Sequence, residues 1–384
     1  MEEDVPLTDR SRRIRERADE LILELKREPW PEPALGWSCS YTPQELILAA
    51  GFTPVRIPTS GASAQEWTQG YLPANLCPYV HRLLQAGMSG EAPPLRGTVF
   101  VDSCDPMRRL ADIWNLYFGQ GFFHRLDAPR RDDASAREFF LGVLEDFRGA
   151  LQDLAGGRIG TQSLNRAVSV LNRTRRIMRE LSLLRAMPRP AITGAQFQRI
   201  ALCAESMHRQ RFNHMAADFL SRIRRDLLRE LRVLPGTRRP RLLLAGCIAE
   251  DSGLPALIED SGACVAADDL CSGMRHYRAE VAQNTARPLQ AIAARYLREL
   301  KCPRMAGRGE RVRNLVSLAG EYGCDGVVFH TLAFCDLHQM DLPALQEELG
   351  RADIPCLPLE REHLTGEDSG QLKTRVQAFV ELLG

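Results

Sequence analysis

The stretch "TVFVDSCDPMRRLADIWNLYF", residues 98–118, decides the fold. A β-branched, apolar run (98–103) is followed by an amphipathic run with helical spacing, and Cys104 sits at the junction between Asp102 and Asp105. A strand leading straight into a helix is the elementary unit of a parallel α/β layer. Working outward, "TPVRIP" (53–58) and "FFHRLD" (122–127) are further strands, and "YTPQELILAAGF" (41–52) is a helix. Thr42 is positioned to cap that helix, Pro43 suits its first position, Glu45 closes a capping box and Gly51 ends it.

The alternation stops over residues 133–233, where four long segments show only helical periodicity, the first two separated by Gly156 and Gly157. It resumes after the linker "PGTRRP" (235–240). "RLLLAG", "ACVAAD", "DGVVFH" and "IPCLPL" are strands, with helices between them and "GQLKTRVQAFVELL" as the last helix. The expected architecture is α/β: two flavodoxin-like parallel lobes with an inserted helical segment and an N-terminal helix. The expected boundaries are 1–34 for that helix, 35–132 for the first lobe, 133–235 for the helical segment and 236–384 for the second lobe.

The 384 residues carry a formal net charge of +1, which gives no long-range attraction to nucleic acid or an anionic membrane. No apolar run approaches the roughly 20 residues of a spanning helix, and the N-terminus lacks the apolar core of a secretory signal. A soluble, cytoplasmic protein is expected, with neither nucleic acid nor membrane as partner. No GxxxxGK[ST] loop, strand-following GxGxxG or GxSxG elbow occurs.

Eleven cysteines in a long chain without CxxC pairs do not read as a disulfide framework. They are either buried small hydrophobes or ligands of a soft metal centre. Ligands of parallel sheets gather beyond the carboxyl ends of the strands. Cys77, Cys104 and Cys335 fall at such places, each near a helix start, where backbone N–H groups favour a thiolate. The first two belong to one lobe and the third to the other, so a cleft between lobes would unite them. Three thiolates suit an iron–sulfur cluster with one iron open. Cys271 and Cys302 are further candidates near element ends, and His330 and His338 flank Cys335. Cys203, Cys264 and Cys356 read as packing residues.

The segments "GWSCSYTPQELILAAGFTPVRI", "LPANLCP", "VDSCDPMRRLADIW", "VAADDLCSGMR", "DGVVFHTLAFCD" and "GQLKTRVQAFVELL" occur in that order. Together they resemble the 2-hydroxyacyl-CoA dehydratase / benzoyl-CoA reductase subunit family over roughly residues 35–384. The resemblance implies a [4Fe–4S] cluster between two lobes, on the cysteines matching Cys77, Cys104 and Cys335. It implies an enzyme, a lyase or an oxidoreductase, working with a paralogous second subunit or as a homodimer. A separate ATP-hydrolysing iron–sulfur activator supplies one electron, which passes to an acyl-CoA thioester. Dehydratases then expel a hydroxyl group through a ketyl radical anion, and reductases reduce an aromatic ring.

By the same resemblance, Ser40 matches a serine lining the active site of the catalytic dehydratase subunit; its other reading is a local backbone hydrogen bond. Catalytic subunits tend to carry a glutamate after the proline ending the next strand, whereas Pro58 here is followed by Thr59. That departure speaks against direct dehydration by this chain and leaves open an electron-relay subunit, a reductase subunit or a divergent member. Two alternatives stand beside this reading. One is a homodimeric double-cubane reductase of small molecules, with Cys39, Cys271 or Cys302 as extra ligands. The other is a non-catalytic accessory paralogue.

Overall fold

Two four-stranded parallel sheets carry the fold in the computed structural model, which describes residues 9–59, 68–89, 94–118, 121–230, 239–361 and 369–384. The first contains β1 (Ala34–Trp37), β2 (Thr53–Arg56), β3 (Gly97–Val101) and β4 (Phe122–Leu126), in the order β2-β1-β3-β4. The second contains β5 (Arg241–Gly246), β6 (Cys264–Asp269), β7 (Gly326–Leu332) and β8 (Cys356–Arg361), in the order β6-β5-β7-β8. Both follow the flavodoxin-like winding, in which the chain reverses direction across the sheet between its first and third strands. The central strands β1, β3 and β7 are buried throughout, as continuous apolar runs in parallel sheets require. Pro54 in β2 and Pro358 in β8 lie on edge strands, where a missing N–H costs no ladder bond.

Of these strands, β1 was not expected. "ALGW" is short, lacks β-branched residues and follows a proline-rich run, so it carries little strand signal. Tertiary packing makes it a strand: Trp37 is fully buried, and a Cβ on Gly36 would sit 2.7 Å from Leu95 and 2.9 Å from Ile57.

Helices α1 (Asp9–Arg27), α2 (Gln44–Ala49), α3 (Pro78–Met88) and α4 (Asp105–Tyr117) belong to the N-terminal part. The helical segment follows as α5 (Ala134–Ala155), α6 (Thr161–Arg185), α7 (Gly194–Ser206) and α8 (Arg209–Glu230). Gly156 ends α5 in the left-handed conformation at φ 65°, and Thr193 with Gln196 forms a capping box at the start of α7. The second lobe adds α9 (Gly253–Asp260), α10 (Met274–Tyr277), α11 (Pro288–Arg298), α12 (Arg308–Glu321), α13 (Asp336–Arg351) and α14 (Ser369–Leu383). Part of the expected linker, 235–238, lies outside the described residues.

The parts share cores. Ile14, Leu21 and Leu25 of α1 pack with Ile177, Leu181 and Phe212 of the helical segment. Leu35, Val99 and Val101 of the first sheet pack with Phe140 and Leu144 of α5 and with Ile292 and Tyr296 of α11.

The capping box expected at α2 does not form. Pro43 is the N-cap, and the Thr42 hydroxyl is buried without a partner. Glu45 turns inward instead, where Arg175 of α6 donates to it at 2.7 Å and Tyr296 Oη at 2.9 Å. That buried pair, with neither side chain more than 3% exposed, joins the first lobe to the helical segment and to α11. Burial alone would raise the Glu45 carboxyl, but Arg175 and Arg295 hold it below its ordinary range.

Candidate metal centre

Each lobe offers thiols at its switch point. In the first, Cys39 follows β1 and Cys104 follows β3; Cys77 stands just before α3, the helix leading to β3. In the second, Cys247 follows β5 and Cys335 follows β7; Cys302 precedes α12, the helix leading to β7, and Cys271 follows β6. All seven line one cavity of about 310 Å³ between the lobes. The other cysteines stay outside it: Cys203 in the helical core, Cys264 and Cys356 in strands, and Cys324 at the end of α12.

The backbone fixes these positions. Cys77, Cys104 and Cys335 are the N-caps of α3, α4 and α13, and all three line the cavity. Gly246 has φ +123°, and a Cβ there would lie 1.9 Å from the His330 carbonyl oxygen. Only glycine lets β5 run so close to β7 before Cys247, whose N–H then donates to that carbonyl at 2.9 Å.

Within the cavity the thiols fall into two groups. Cys335 sits at the centre of one, hydrogen-bonded by Cys247 and Cys77, with His338 Nδ1 3.4 Å from its sulfur. The donor atoms of Cys247, Cys335 and His338 lie within 4.8 Å of one another. In the other group Cys302 hydrogen-bonds Cys271, whose sulfur also accepts from Arg275 Nη1 at 3.3 Å. Cys39 packs with Cys302 against the same apolar core, beside Leu300 and Met305. Cys104 packs with Cys77, Cys271 and Cys335 against the core that holds Val80 and Leu332.

The helix starts do not make these thiols acidic as a class, contrary to the expectation. Burial raises Cys39, Cys247 and Cys104, the last to about 11. Cys77 rises because it donates to Cys335, then because it is buried. Hydrogen bonds received by a sulfur override burial. Cys335 falls well below its ordinary value through Cys247 and Cys77. Cys271 falls to about 5, first through the Cys302 hydrogen bond and, against the effect of burial, through the Arg275 charge.

The wall ties the lobes together. Ser40 Oγ donates across the interface to the Cys271 carbonyl at 3.0 Å, and Arg56 Nη2 donates to the same oxygen at 3.2 Å. Ser40 thus lines the cavity with its hydroxyl engaged by the opposite lobe, not by the local backbone ahead of α2. Arg56 is held by Glu205 at 2.7 Å and lies 4.2 Å over the Trp37 ring. His338 lines the cavity; His330, buried on β7 with both ring nitrogens lacking a partner, does not. Burial lowers His330 to about 3 and keeps it neutral.

The structure places Cys77, Cys104 and Cys335 in the lining of one cavity, together with Cys39, Cys271 and Cys302. The sequence reading missed Cys247, although its place directly after "RLLLAG" carried the signal used for Cys104. Chemically, a cluster of thiols behind a wall of Val80, Ile248 and Leu332 suits a soft metal or an iron–sulfur group, whose thiolate ligands this donor set provides.

A family profile described as "2-hydroxyglutaryl-CoA dehydratase, D-component" matches residues 39–383. The chain is 24% identical over 354 residues to the (R)-phenyllactyl-CoA dehydratase beta subunit of Clostridium sporogenes, covering 92% of each. It is 25% identical to the beta subunit of (R)-2-hydroxyglutaryl-CoA dehydratase from Acidaminococcus fermentans, over 91% of this chain and 92% of that one. It is 24% identical to one of the subunits of benzoyl-CoA reductase from Thauera aromatica, over 87% of this chain and 85% of that one. With the profile spanning both lobes and the helical segment, the chain belongs to the 2-hydroxyglutaryl-CoA dehydratase D-component family.

Proposed function

We propose that the chain is the iron–sulfur subunit of a radical 2-hydroxyacyl-CoA dehydratase or a benzoyl-CoA reductase-type enzyme. Cys77, Cys104 and Cys335 hold a [4Fe–4S] cluster. The observation that carries this reading is the convergence of those thiols, from two lobes, on one cavity. The relatives named as beta subunits of dehydratases and as a subunit of benzoyl-CoA reductase support the reaction class and a partner subunit. An ATP-hydrolysing activator delivers one electron, and an acyl-CoA thioester receives it. When bound, the cluster supplies one-electron transfer at low potential. The protein's part is to present thiolates, to exclude water with Val80, Ile248 and Leu332, and to lock the lobes through Ser40 and Arg56. No helix among the described residues is long and apolar enough to cross a membrane.

Iron and acid-labile sulfide analysis after anaerobic reconstitution tests the proposal. About four irons per chain is the expected result for one cubane; colourless protein without iron would refute it.

One observation favours the double-cubane alternative: seven thiols in a single cavity exceed what one cubane needs. That reading puts Cys39, Cys247, Cys271 and Cys302 to work as ligands and doubles the iron to about eight per chain.

A further inference from the structure

The two sides of the cavity differ in charge. Around Cys77, Cys247 and Cys335 the wall is Val80, Ile248 and Leu332, with His338. Around Cys39, Cys271 and Cys302 stand three buried arginines, Arg56, Arg275 and Arg304; Glu205 holds the first at 2.7 Å. Arg275 is 5% exposed; its Nε and Nη2 grip Asp269 at 3.0 and 2.8 Å, its Nη2 also donates to the Gly246 carbonyl at 3.0 Å, and its Nη1 points at Cys271 Sγ. Asp269 offsets much of that charge. Arg304 is different. It is 2% exposed and meets only the Ala128 and Pro129 carbonyls, Met305 Sδ and, 4.4 Å away, the Tyr41 ring. Its Nε has no partner, and among the described residues no carboxylate pairs with it.

A buried guanidinium without a counter-ion is costly, and it stays in place where something anionic completes it. The anion within reach is the sulfur group that Cys39, Cys271 and Cys302 present. We propose that Arg304, assisted by Arg275, makes this side of the cavity the electron-accepting side, by stabilising the extra negative charge that reduction places there. The inference rests on the double-cubane form of the iron–sulfur reading above, in which Cys39, Cys271 and Cys302 are ligands, and adds the residues that set its potential. One electron leaves a low-potential iron–sulfur donor protein and adds one negative charge beside Arg304; no bond breaks and no proton moves. Hydrogen bonds to sulfur, net charge and burial are the levers by which a protein sets such a potential. Arg304 supplies charge; Arg275 supplies a hydrogen bond whose charge is shared with Asp269. Arg304 therefore has the larger effect, and both are positioning residues.

The test is an anaerobic redox titration of the reconstituted full chain, followed by electron paramagnetic resonance, with iron counted in every sample. Arg304→Gln is expected to make reduction at least tenfold harder, a shift of about 59 mV to lower potential for one electron. Arg304→Lys, which keeps the charge, is expected to restore most of the wild-type value. Arg275→Gln is expected to shift in the same direction by less, and serves if Arg304→Gln does not fold. Wild-type protein without iron would remove the iron–sulfur reading and this inference with it, whereas about four irons per chain, one cubane on Cys77, Cys104 and Cys335, would overturn this inference alone. Iron-loaded Arg304→Gln or Arg275→Gln with an unchanged midpoint would overturn this inference alone.

Discussion

The two lobes share one plan and differ in what they add to it. Each winds its four strands in the same order, sets a cysteine after its first and third strands, and sets another before the helix leading to the third. Cys39, Cys77 and Cys104 thus have counterparts in Cys247, Cys302 and Cys335. Past the second strand the likeness ends. The first lobe continues with Pro58 and Thr59; the second continues with Cys271 and, on the short helix after it, Arg275. The packing also crosses the lobes, because Cys77 and Cys104 share one core with Cys247, Cys271 and Cys335, while Cys39 shares another with Cys302. A matched pair of switch points accounts for a shared cavity. The residues that break the match account for its two unlike sides.

The largest expected effect comes from removing a central sulfur. Cys335→Ala loses at least the roughly 10–100-fold in metal affinity typical of even an outer supporting residue. Cys356→Ala, outside the cavity in the same lobe, keeps its iron. Iron content with circular dichroism on both variants checks this, and equal iron in the two would break the assignment of the switch-point cysteines.

Next in size is the contact that fixes the first lobe against the helical segment. Glu45→Ala strands Arg175 in the interior, and removing one partner of such a pair costs about 3–5 kcal/mol, read by denaturant unfolding. A loss within about 1 kcal/mol, the surface-pair range, would show that water reaches the pair.

The strand ends sharpen the comparison further. Gly246→Ala forces a Cβ into the His330 carbonyl at a positive φ, at about 1–3 kcal/mol for the backbone alone. Ser38→Ala, just after β1 in the other lobe, loses only a 3.6 Å contact from its hydroxyl to Met107 Sδ and is expected to be nearly neutral. Thermal melts of the two variants measure the difference between the lobes.

The smallest effect is a pH slope. Glu250, after Cys247 in the second lobe, has a carboxyl oxygen buried without a partner. Burial raises it from 4.5 to about 7, against Thr59, Arg82 and Arg56, which lower it, and with Asp251, which adds to the rise. The folded state then holds a proton that the unfolded chain has released, so stability falls as pH rises from about 4.5 to about 7. Glu250→Gln is expected to flatten that slope in urea titrations across the window; an unchanged slope would assign it to another group.

Much of this was legible in the residues. Parallel strands written as apolar runs, with helices between them, were readable because burial on both faces leaves a continuous hydrophobic signature. The helical segment was readable because Gly156 and Thr193 mark its breaks with local chemistry. Cys77, Cys104 and Cys335 stood out because each sits where a helix begins. What escaped was non-local. "ALGW" becomes a strand through the burial of Trp37 and the close packing at Gly36, neither of which a short window displays. Glu45 looks like the end of a capping box, yet a buried arginine more than a hundred residues away outcompetes the local bond. Cys247 follows "RLLLAG" as Cys104 follows its strand, but no helix begins at it, and the pairing of Arg275 with Cys271 depends on a turn after β6.

The central claim is that the sulfurs of both switch points face one metal-holding space. Iron-edge anomalous diffraction from crystals of the anaerobically reconstituted chain tests it directly. The account predicts iron density inside the cavity, bonded to Cys77, Cys104 and Cys335. Anomalous density elsewhere on an iron-loaded chain, or a cavity without iron in such crystals, would contradict it.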